Sequence, residues 1–251
     1  MYKRDIETEF LELIKGYPIV TVIGPRQSGK TTLVKNLFPQ KKYINLEEID
    51  TRNLAIGDPR KFLEQLPNGA ILDEIQRAPQ LLSYIQVIVD NLEKKGMFIL
   101  TGSHQLELQE AVSQSLAGRT AILHLLPMSF HELLNAGFDL SLNEWMLKGG
   151  YPRIYKDQLD PTRAYRGYFQ TYVERDVRQI LQIKDLLQFE RFIKLTASRV
   201  GQLVNYASLA SDVGVSAVTI KEWIAVLEAT YILIRLEPYF ENFGKRLIKS
   251  F

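Results

Sequence analysis

The sequence predicts an α/β fold: a parallel five-stranded sheet with helices on both faces, followed by a helical lid and a winged-helix domain. Three observations support this prediction. Strand-like and helix-like segments alternate from residue 18 to about residue 126, as in a parallel sheet covered by helices. After Pro127 helical periodicity takes over. Residues 206–224 then have the pattern of a helix-turn-helix, and two apolar segments that can pair as a wing follow it.

The composition is that of an ordinary globular protein, because 46% of the 251 residues are hydrophobic and 24% are charged. The formal net charge of +2 neither indicates nor excludes a polyanionic partner. There is no cysteine, which excludes disulfides and thiolate metal sites. No apolar run approaches the roughly 20 residues that span a bilayer, and acidic residues stand where a signal peptide would be apolar. We therefore expect a cytoplasmic protein without a membrane partner.

The predicted elements of the first half follow from the spacing of its apolar residues. An amphipathic helix is expected at 5–15, with Ile6 and Phe10 on its apolar face. Strands are expected at 18–23, 42–46, 70–74, 97–101 and 120–125. Helices are expected between them at 30–38, 59–66, 79–95 and 105–116. Parallel sheets of this kind bind ligands beyond the carboxyl ends of their strands, so we expect the functional site there.

The second half is predicted to be mainly helical. Ser129 is placed to cap a helix, and Gly149–Pro152 interrupt the helical spacing. Helices are expected at 130–135, 142–148, 161–181 and, in shorter pieces, after 186, with strands at 231–237 and 245–250. The predicted domains are a core at 1–128, a helical lid at 129–183 and a winged helix-turn-helix domain at 184–251.

The most informative pattern is a glycine-rich loop that fits G-x-x-x-x-G-K-[ST], formed by Gly24, Pro25, Arg26, Gln27, Ser28, Gly29, Lys30 and Thr31. It joins a buried-type strand to a helix, so backbone N–H groups and the helix dipole converge on a phosphate. We expect this segment and Thr32 to bind nucleotide phosphates, with Lys30 on the β- and γ-phosphates and the Thr31 hydroxyl on Mg²⁺. The alternative is a turn that only starts an ordinary helix, and the correct flanks favour phosphate binding.

A second group of candidate residues ends the strand at 70–74. Asp73 is expected to hold Mg²⁺ directly or through a water molecule. Glu74 points away from Asp73 and can face the γ-phosphate to polarise an attacking water. An acidic pair after a strand also caps helices, but its place downstream of a phosphate loop favours the metal and catalytic roles.

Three further residues are candidates. Ser103 follows the strand at 97–101, where its hydroxyl can bond the γ-phosphate or the water, although a polar turn explains it equally well. Arg119 opens the last strand and is a candidate arginine finger, in its own chain or across a subunit interface. Arg26 is another cation near the site. For both arginines a solvated surface position is at least as good an interpretation.

Seven segments in order resemble the prokaryotic AAA-type ATPases with an AAA_14 domain and a C-terminal DUF4143 region: Gly24–Thr31, Ile71–Arg77, Ile99–Ser103, Ser115–Arg119, Leu126–Phe130, Gly149–Pro152 and Tyr172–Asp176. The resemblance implies a P-loop NTPase sheet of the additional-strand, catalytic-glutamate type, with ATP and Mg²⁺ as ligands. It implies that Glu74 is the water-activating base and that Ser103 has a sensor role.

The resemblance also extends to the second half. In related signal-transducing ATPases a glycine–x–proline motif touches the adenine, which makes Gly150 and Pro152 candidate adenine contacts. By spacing alone the same residues are a helix stop and a turn. Arg175 is implied as a residue between lid and site. Family members usually continue beyond the equivalent of residues 245–250 into a nuclease-like domain, so we expect this chain to be truncated relative to them.

The sequence leaves open whether the last domain binds DNA. Gly214 is placed to make the turn of a helix-turn-helix. The second helix offers few side chains that contact base edges, namely Ser216, Thr219, Lys221 and Glu222. From residue 185 onward eight basic residues against seven acidic ones give a net charge of +1, which is no basic footprint. Packing against the core or a protein partner is therefore favoured over DNA binding.

The leading hypothesis is a Mg²⁺-dependent ATPase that acts as a nucleotide-driven conformational switch. The alternative is an ATP-gated DNA-binding regulator that uses the winged helix. A small-molecule kinase is a third hypothesis, against which the adjacent Asp73 and Glu74 argue. A homo-oligomer or a protein partner is compatible with the sequence. The histidines lack zinc-ligand spacing, so no metal other than Mg²⁺ is expected.

Overall fold

A computed structural model describes residues 2–103, 115–171 and 186–236. The chain forms two compact units, of which the first extends to Tyr165 and the second begins at Arg166. Most of the helix predicted at 105–116, part of the one at 161–181, the strand at 245–250 and Arg175 lie outside the described residues. The predicted domain boundaries at 128 and 183 stay predictions, and residue 183 also lies outside the described residues.

The first unit contains the predicted strands, which are β1 Ile19–Ile23, β2 Tyr43–Asn45, β3 Ile71–Asp73, β4 Phe98–Gly102 and β5 Thr120–His124. Its described helices are α1 Glu7–Gly16, α2 Lys30–Leu37, α3 Ile49–Gly57, α4 Pro59–Glu64, α5 Leu81–Leu92, α6 Phe130–Asn135, α7 Leu142–Lys148 and α8 Pro152–Lys156, with a 3₁₀ turn at Ile75–Arg77. Helix α9, Pro161–Tyr168, includes the boundary between the units.

The five strands form one sheet in the order β2-β3-β4-β1-β5, and all neighbours are parallel. The predicted five-stranded parallel sheet is therefore confirmed. Ile19, the first residue of β1, pairs with Phe98 and Thr120, the first residues of β4 and β5. Because the strands run in register and in one direction, the segments that follow them gather at a single edge of the sheet.

Helices cover both faces of the sheet, as predicted. Ile19 and Ile23 of β1 belong to a core that α4 and α5 complete, whereas Val20 and Val22 belong to a core that α1 and α2 complete. Successive side chains of a strand point to opposite faces, so one strand supplies both cores. Helix α3 was not predicted, because Ala55 is its buried residue and its larger apolar residues are exposed.

The second unit is helical where it is described, with α10 Leu186–Ser198, α11 Tyr206–Val213 and α12 Ala217–Ala229. Gly214 has a φ of +86° and ends α11, and the Ser216 hydroxyl accepts a hydrogen bond from the Thr219 amide at the start of α12. The helix, glycine turn and capped second helix that the sequence predicts are therefore present. The strand predicted at 231–237 is not formed at 231–236, where the chain is turn and coil. Its predicted partner strand lies outside the described residues, so the wing stays a prediction.

Among the described residues, each helix is too short or too polar to cross a bilayer.

Candidate functional site

The glycine-rich loop leaves β1 at the carboxyl edge of the sheet and enters α2. Gly24 has a φ of +155°, and a Cβ at this position would lie 2.2 Å from the Leu125 carbonyl oxygen. Backbone atoms of the segment after β5 therefore leave room only for glycine. Gly29, with a φ of +97°, adopts the left-handed conformation that starts α2. The two glycines of the motif are needed for two different reasons, close approach and backbone conformation.

Lys30 is a buried cation inside this loop. Its Nζ donates hydrogen bonds to the carbonyl oxygens of Gly24 at 3.0 Å and Pro25 at 2.8 Å. Burial lowers the pKa of Lys30 to about 8, the carboxylates of Glu74 and Asp73 oppose this shift, and Arg26 adds to it. The charges of Arg26 and of both predicted carboxylates therefore act on the ammonium group.

Asp73 ends β3 and accepts hydrogen bonds from three hydroxyl groups. Its Oδ2 accepts from Thr31 Oγ1 at 2.8 Å and from Tyr43 OH at 2.7 Å, and its Oδ1 accepts from Thr101 Oγ1. The structure thus brings together Thr31 and Asp73, the two predicted metal ligands. Burial and the bond to Asp73 raise the pKa of Tyr43 well above its ordinary value. Sequence reasoning missed Tyr43 and Thr101, which lie inside predicted strands and gave no separate signal.

Glu74 lies next to this group with an unusual backbone. Its φ of +57° and ψ of +50° are left-handed, which is uncommon for a residue with a side chain and a feature of functional sites. The Glu74 amide donates to Thr101 Oγ1 at 3.3 Å, and Glu74 Oε2 accepts from Ser103 Oγ at 3.0 Å and from Gln76 Nε2. The candidate base and the candidate sensor therefore contact each other. Gln76 is a further partner that the sequence did not indicate.

The glycine–x–proline segment lies beside the loop. Pro152 Cγ is 3.9 Å from the position that a Cβ on Gly29 would occupy. Gly150 is held by its backbone, since its carbonyl oxygen accepts from the Met128 amide at 2.6 Å, and a Cβ there would lie 2.1 Å from the Met128 carbonyl oxygen. The structure brings Pro152 to the phosphate loop and uses Gly150 as an anchor on Met128.

Arg119 lies at the other edge of the sheet. Its carbonyl oxygen accepts from the amide of Ile19, the first residue of β1, whereas the loop follows the last residue of that strand. At about 3.3 Å per residue, the length of β1 separates them. Arg119 instead forms a bidentate pair with Asp90, with Nε–Oδ1 at 2.6 Å and Nη2–Oδ2 at 2.8 Å. Arg119 therefore lies at the end of β1 opposite to the loop of its own chain, because a parallel strand begins at the edge opposite to the one where it ends, and its role as an arginine finger stays a prediction.

Comparisons with known proteins agree with this geometry. Residues 16–134 match the family model AAA_14, described as an AAA domain. This match supports an AAA-type P-loop NTPase domain in the first half of the chain. The AAA domain therefore includes the loop, Asp73 and Glu74. Residues 139–251 match a domain of unknown function, DUF8612. The DUF4143 label expected for this half stays a prediction.

One solved structure and two related sequences resemble this chain over more than nine-tenths of its length. The Walker-type ATPase PABY2304 of Pyrococcus abyssi has a similar fold, with a TM-score of 0.57, 14% identity, and 94% of this chain and 92% of that chain covered. The uncharacterized protein Rv2008c of Mycobacterium tuberculosis is 30% identical over 99% of this chain, and an uncharacterized protein of Haemophilus influenzae is 24% identical over 97% of it. The chain spans 56% and 66% of the lengths of these two relatives.

Proposed function

We propose that the AAA domain binds ATP with Mg²⁺ and hydrolyses it to ADP and phosphate. The observation that carries the proposal is the convergence at one sheet edge of the phosphate loop, the hydrogen-bonded Thr31 and Asp73, and Glu74 in its left-handed conformation. A fold alone does not imply an activity, whereas a loop, a metal-ligand pair and a candidate base in contact form a site for phosphoryl transfer to water.

The loop residues fit a nucleotide phosphate. The Ser28 hydroxyl is buried, and among the described residues it has no hydrogen-bond partner, so it is a donor for a phosphate oxygen. The loop amides and the start of α2 supply further donors. The Lys30 ammonium is held within the loop by carbonyl oxygens, and a phosphate offers it charged acceptors instead. Arg26, Gln27 and Thr32 would line the same phosphates.

The residues present also fit Mg²⁺. The Thr31 hydroxyl and the Asp73 carboxylate are oxygen ligands of the kind this ion prefers, and they already lie 2.8 Å apart. The ion, when bound, neutralises negative charge on the phosphates. Tyr43 and Thr101 would keep Asp73 oriented, since both hydroxyl groups donate to its carboxylate.

Glu74 would act as the general base. In the hydrolysis a water oxygen bonds to the γ-phosphorus, the bond to the ADP oxygen breaks, and the Glu74 carboxylate accepts the proton of the water. Ser103 donates a hydrogen bond to Glu74 at 3.0 Å and would position its carboxylate. As the sensor residue, Ser103 would also respond to the presence of the γ-phosphate. Pro152, beside Gly29, and the anchoring Gly150 would border the adenine. Arg119 would contribute only to the nucleotide of a neighbouring chain.

We further propose that hydrolysis drives a conformational switch whose output involves the second unit. The alternative output is ATP-gated DNA binding, which rests on the helix-turn-helix of α11, Gly214 and α12. Fluorescence anisotropy with duplex DNA across a salt series would distinguish them, because phosphate contacts impose a steep salt dependence. If adding the protein leaves the anisotropy of the DNA unchanged, both with ATP and without it, the DNA-binding alternative is excluded.

Two variants test the ATPase itself. Lys30→Ala should lose ATP binding in isothermal titration calorimetry. Glu74→Gln should bind ATP as the unsubstituted protein does, while phosphate release falls by about 10²–10⁴-fold, the usual contribution of a general base. Lys42→Ala, an exposed lysine outside the loop, is the matched control and should change neither. Normal hydrolysis by Glu74→Gln would show that another residue is the base.

A further inference from the structure

Arg4 is a buried arginine that the site described so far does not use. It precedes α1 and is 6% exposed. Its guanidinium donates to three partners from separate parts of the first unit. Nε donates to Glu132 Oε1 at 3.0 Å, Nη1 to the Ser28 carbonyl oxygen at 3.0 Å, and Nη2 to the Leu126 carbonyl oxygen at 2.7 Å. One side chain therefore joins the phosphate loop, the segment after β5 and helix α6.

Glu132 holds Arg4 in place. This carboxylate is 5% exposed, and its Oε1 also accepts from the Asp5 amide at 2.7 Å. Its Oε2 accepts from the Ser129 amide at 2.9 Å, in the capping box that starts α6. A buried ion pair is tolerated only when its remaining polar atoms are bonded too, and here both carboxylate oxygens and all three guanidinium nitrogens have acceptors or donors.

We infer that Arg4 is a positioning residue for the phosphate loop, an inference that rests on the proposed ATP binding. Arg4 acts through the peptide that joins Ser28 to Gly29. In a planar trans peptide the carbonyl and the next amide point in opposite directions, so a donor fixed on the Ser28 oxygen also fixes the direction of the Gly29 N–H. That N–H belongs to the set of loop amides that would bind phosphate.

The shape of arginine matters in this role. The planar fork satisfies three acceptors at fixed angles, whereas a lysine ammonium is a compact group on a flexible stem. Lysine at position 4 would keep the charge next to Glu132 and lose the simultaneous hold on Ser28 and Leu126. Arg4→Lys therefore keeps the positive charge, which contributes to stability, and removes the hydrogen-bond geometry, which contributes to nucleotide binding.

The test compares affinity with turnover. Arg4→Lys, Arg4→Gln and Glu132→Gln are titrated with ADP and with ATP plus Mg²⁺, and phosphate release is measured at saturating ATP. We expect the Kd of both nucleotides to rise about tenfold, the effect of losing one hydrogen bond to a charged group, while kcat stays within about twofold. A purely structural residue would lower the active fraction without changing Kd. Lys3→Gln, the exposed neighbour of Arg4, should match the unsubstituted protein.

The two levels of the proposal fail differently. If the unsubstituted protein binds no ATP, the proposed function fails, and the inference fails with it. If it binds ATP and the folded Arg4→Lys variant has an unchanged Kd, only the inference is overturned. If circular dichroism shows that both Arg4 variants are unfolded, the Glu132→Gln variant provides the test. An unchanged Kd of Glu132→Gln for the nucleotides would also contradict the inference. Combining Arg4→Lys with Glu132→Gln should raise Kd by less than the product of the single effects, because the two residues act as one unit.

Discussion

The two units of the chain differ in what they bury. The first unit buries several polar or charged side chains, which are Arg4, Thr21, Ser28, Lys30, Asp73, Thr101 and Glu132. In the described part of the second unit every buried residue is apolar, with Phe189, Phe192 and Trp223 packed together at ring-centroid distances of 5.2–5.9 Å, and the hydroxyl oxygen of the partly exposed Thr196 is buried as well. Among the described residues, all the buried charged side chains lie in the first unit.

This difference has a physical basis. Burying a polar group is costly unless it is bonded, so such groups tend to occur in interiors where they have partners or a task. All but one of the buried polar side chains in the first unit lie at the phosphate loop or are connected to it by hydrogen bonds, and Thr21 alone serves the sheet. The apolar core of the second unit joins α10, α11 and α12.

The largest expected effect is on the stability of the second unit. Phe192→Ala should reduce the free energy of unfolding by about 3–5 kcal/mol, since it leaves a cavity against Phe189 and Trp223. The chain has two tryptophans, and a Trp145→Phe background leaves Trp223 as the fluorescent probe in a urea titration. Leu187→Ala on the same helix, where Leu187 is 78% exposed, should cost under about 0.5 kcal/mol. Equal losses in both variants would contradict the assigned core.

In the first unit the expected effect falls on catalysis. Thr101→Val removes two hydrogen bonds, the one that Thr101 donates to Asp73 and the one that it accepts from the Glu74 amide, so kcat for ATP hydrolysis should fall by at least about tenfold, since each bond is worth about 1 kcal/mol. Thr21→Val is the matched control, because it makes the same change in a buried threonine of β1 that bonds Thr120 at 2.9 Å. Its kcat should be unchanged. A similar kcat loss in both variants would mean that the sheet as a whole, not Asp73, is disturbed.

A smaller effect is expected at Tyr43. Tyr43→Phe keeps the ring, over which Lys35 Nζ lies at 3.8 Å, and removes only the hydroxyl that donates to Asp73. The Mg²⁺ concentration needed for half-maximal hydrolysis should rise about three- to fivefold, because Asp73 is less well oriented. The half-exposed Tyr84 of α5 provides the control, Tyr84→Phe. No change in the Mg²⁺ dependence would remove Tyr43 from the site.

The smallest effect is expected at Arg119, whose pair with Asp90 is exposed. At concentrations where light scattering gives the mass of one chain, Arg119→Ala should hydrolyse ATP at the unsubstituted rate. Asp90→Ala, which releases the guanidinium, should behave in the same way. Loss of activity in the dilute Arg119→Ala protein would contradict its distance from the loop, and a loss that appears only on oligomerisation would support a role in a neighbouring chain.

The sequence predicts those features that depend on residues close together in the chain. The strands, the loop and the Asp73–Glu74 pair are contiguous patterns, and the nearly continuous apolar run of β1 indicates a strand that is covered on both faces. Arg4 and Glu132 are 128 positions apart, and Tyr43 lies 30 positions from Asp73. Only tertiary structure brings such residues together, so no local pattern could indicate them. Arg119 is different, because its place at the start of a parallel strand already indicated the wrong edge of the sheet.

The close approach of Gly24 to the Leu125 carbonyl has a consequence for interpreting homologous sequences. A side chain at position 24 would collide with a backbone atom of the neighbouring segment, whether or not a nucleotide binds. The fold therefore requires the first glycine of the motif, and a relative that no longer binds ATP would still need it. No comparable backbone collision fixes Lys30, whose ammonium group bonds the carbonyl oxygens of Gly24 and Pro25 instead. In a divergent homologue, the residue aligned with Lys30 is accordingly the diagnostic one for distinguishing a working nucleotide site from an inactive remnant.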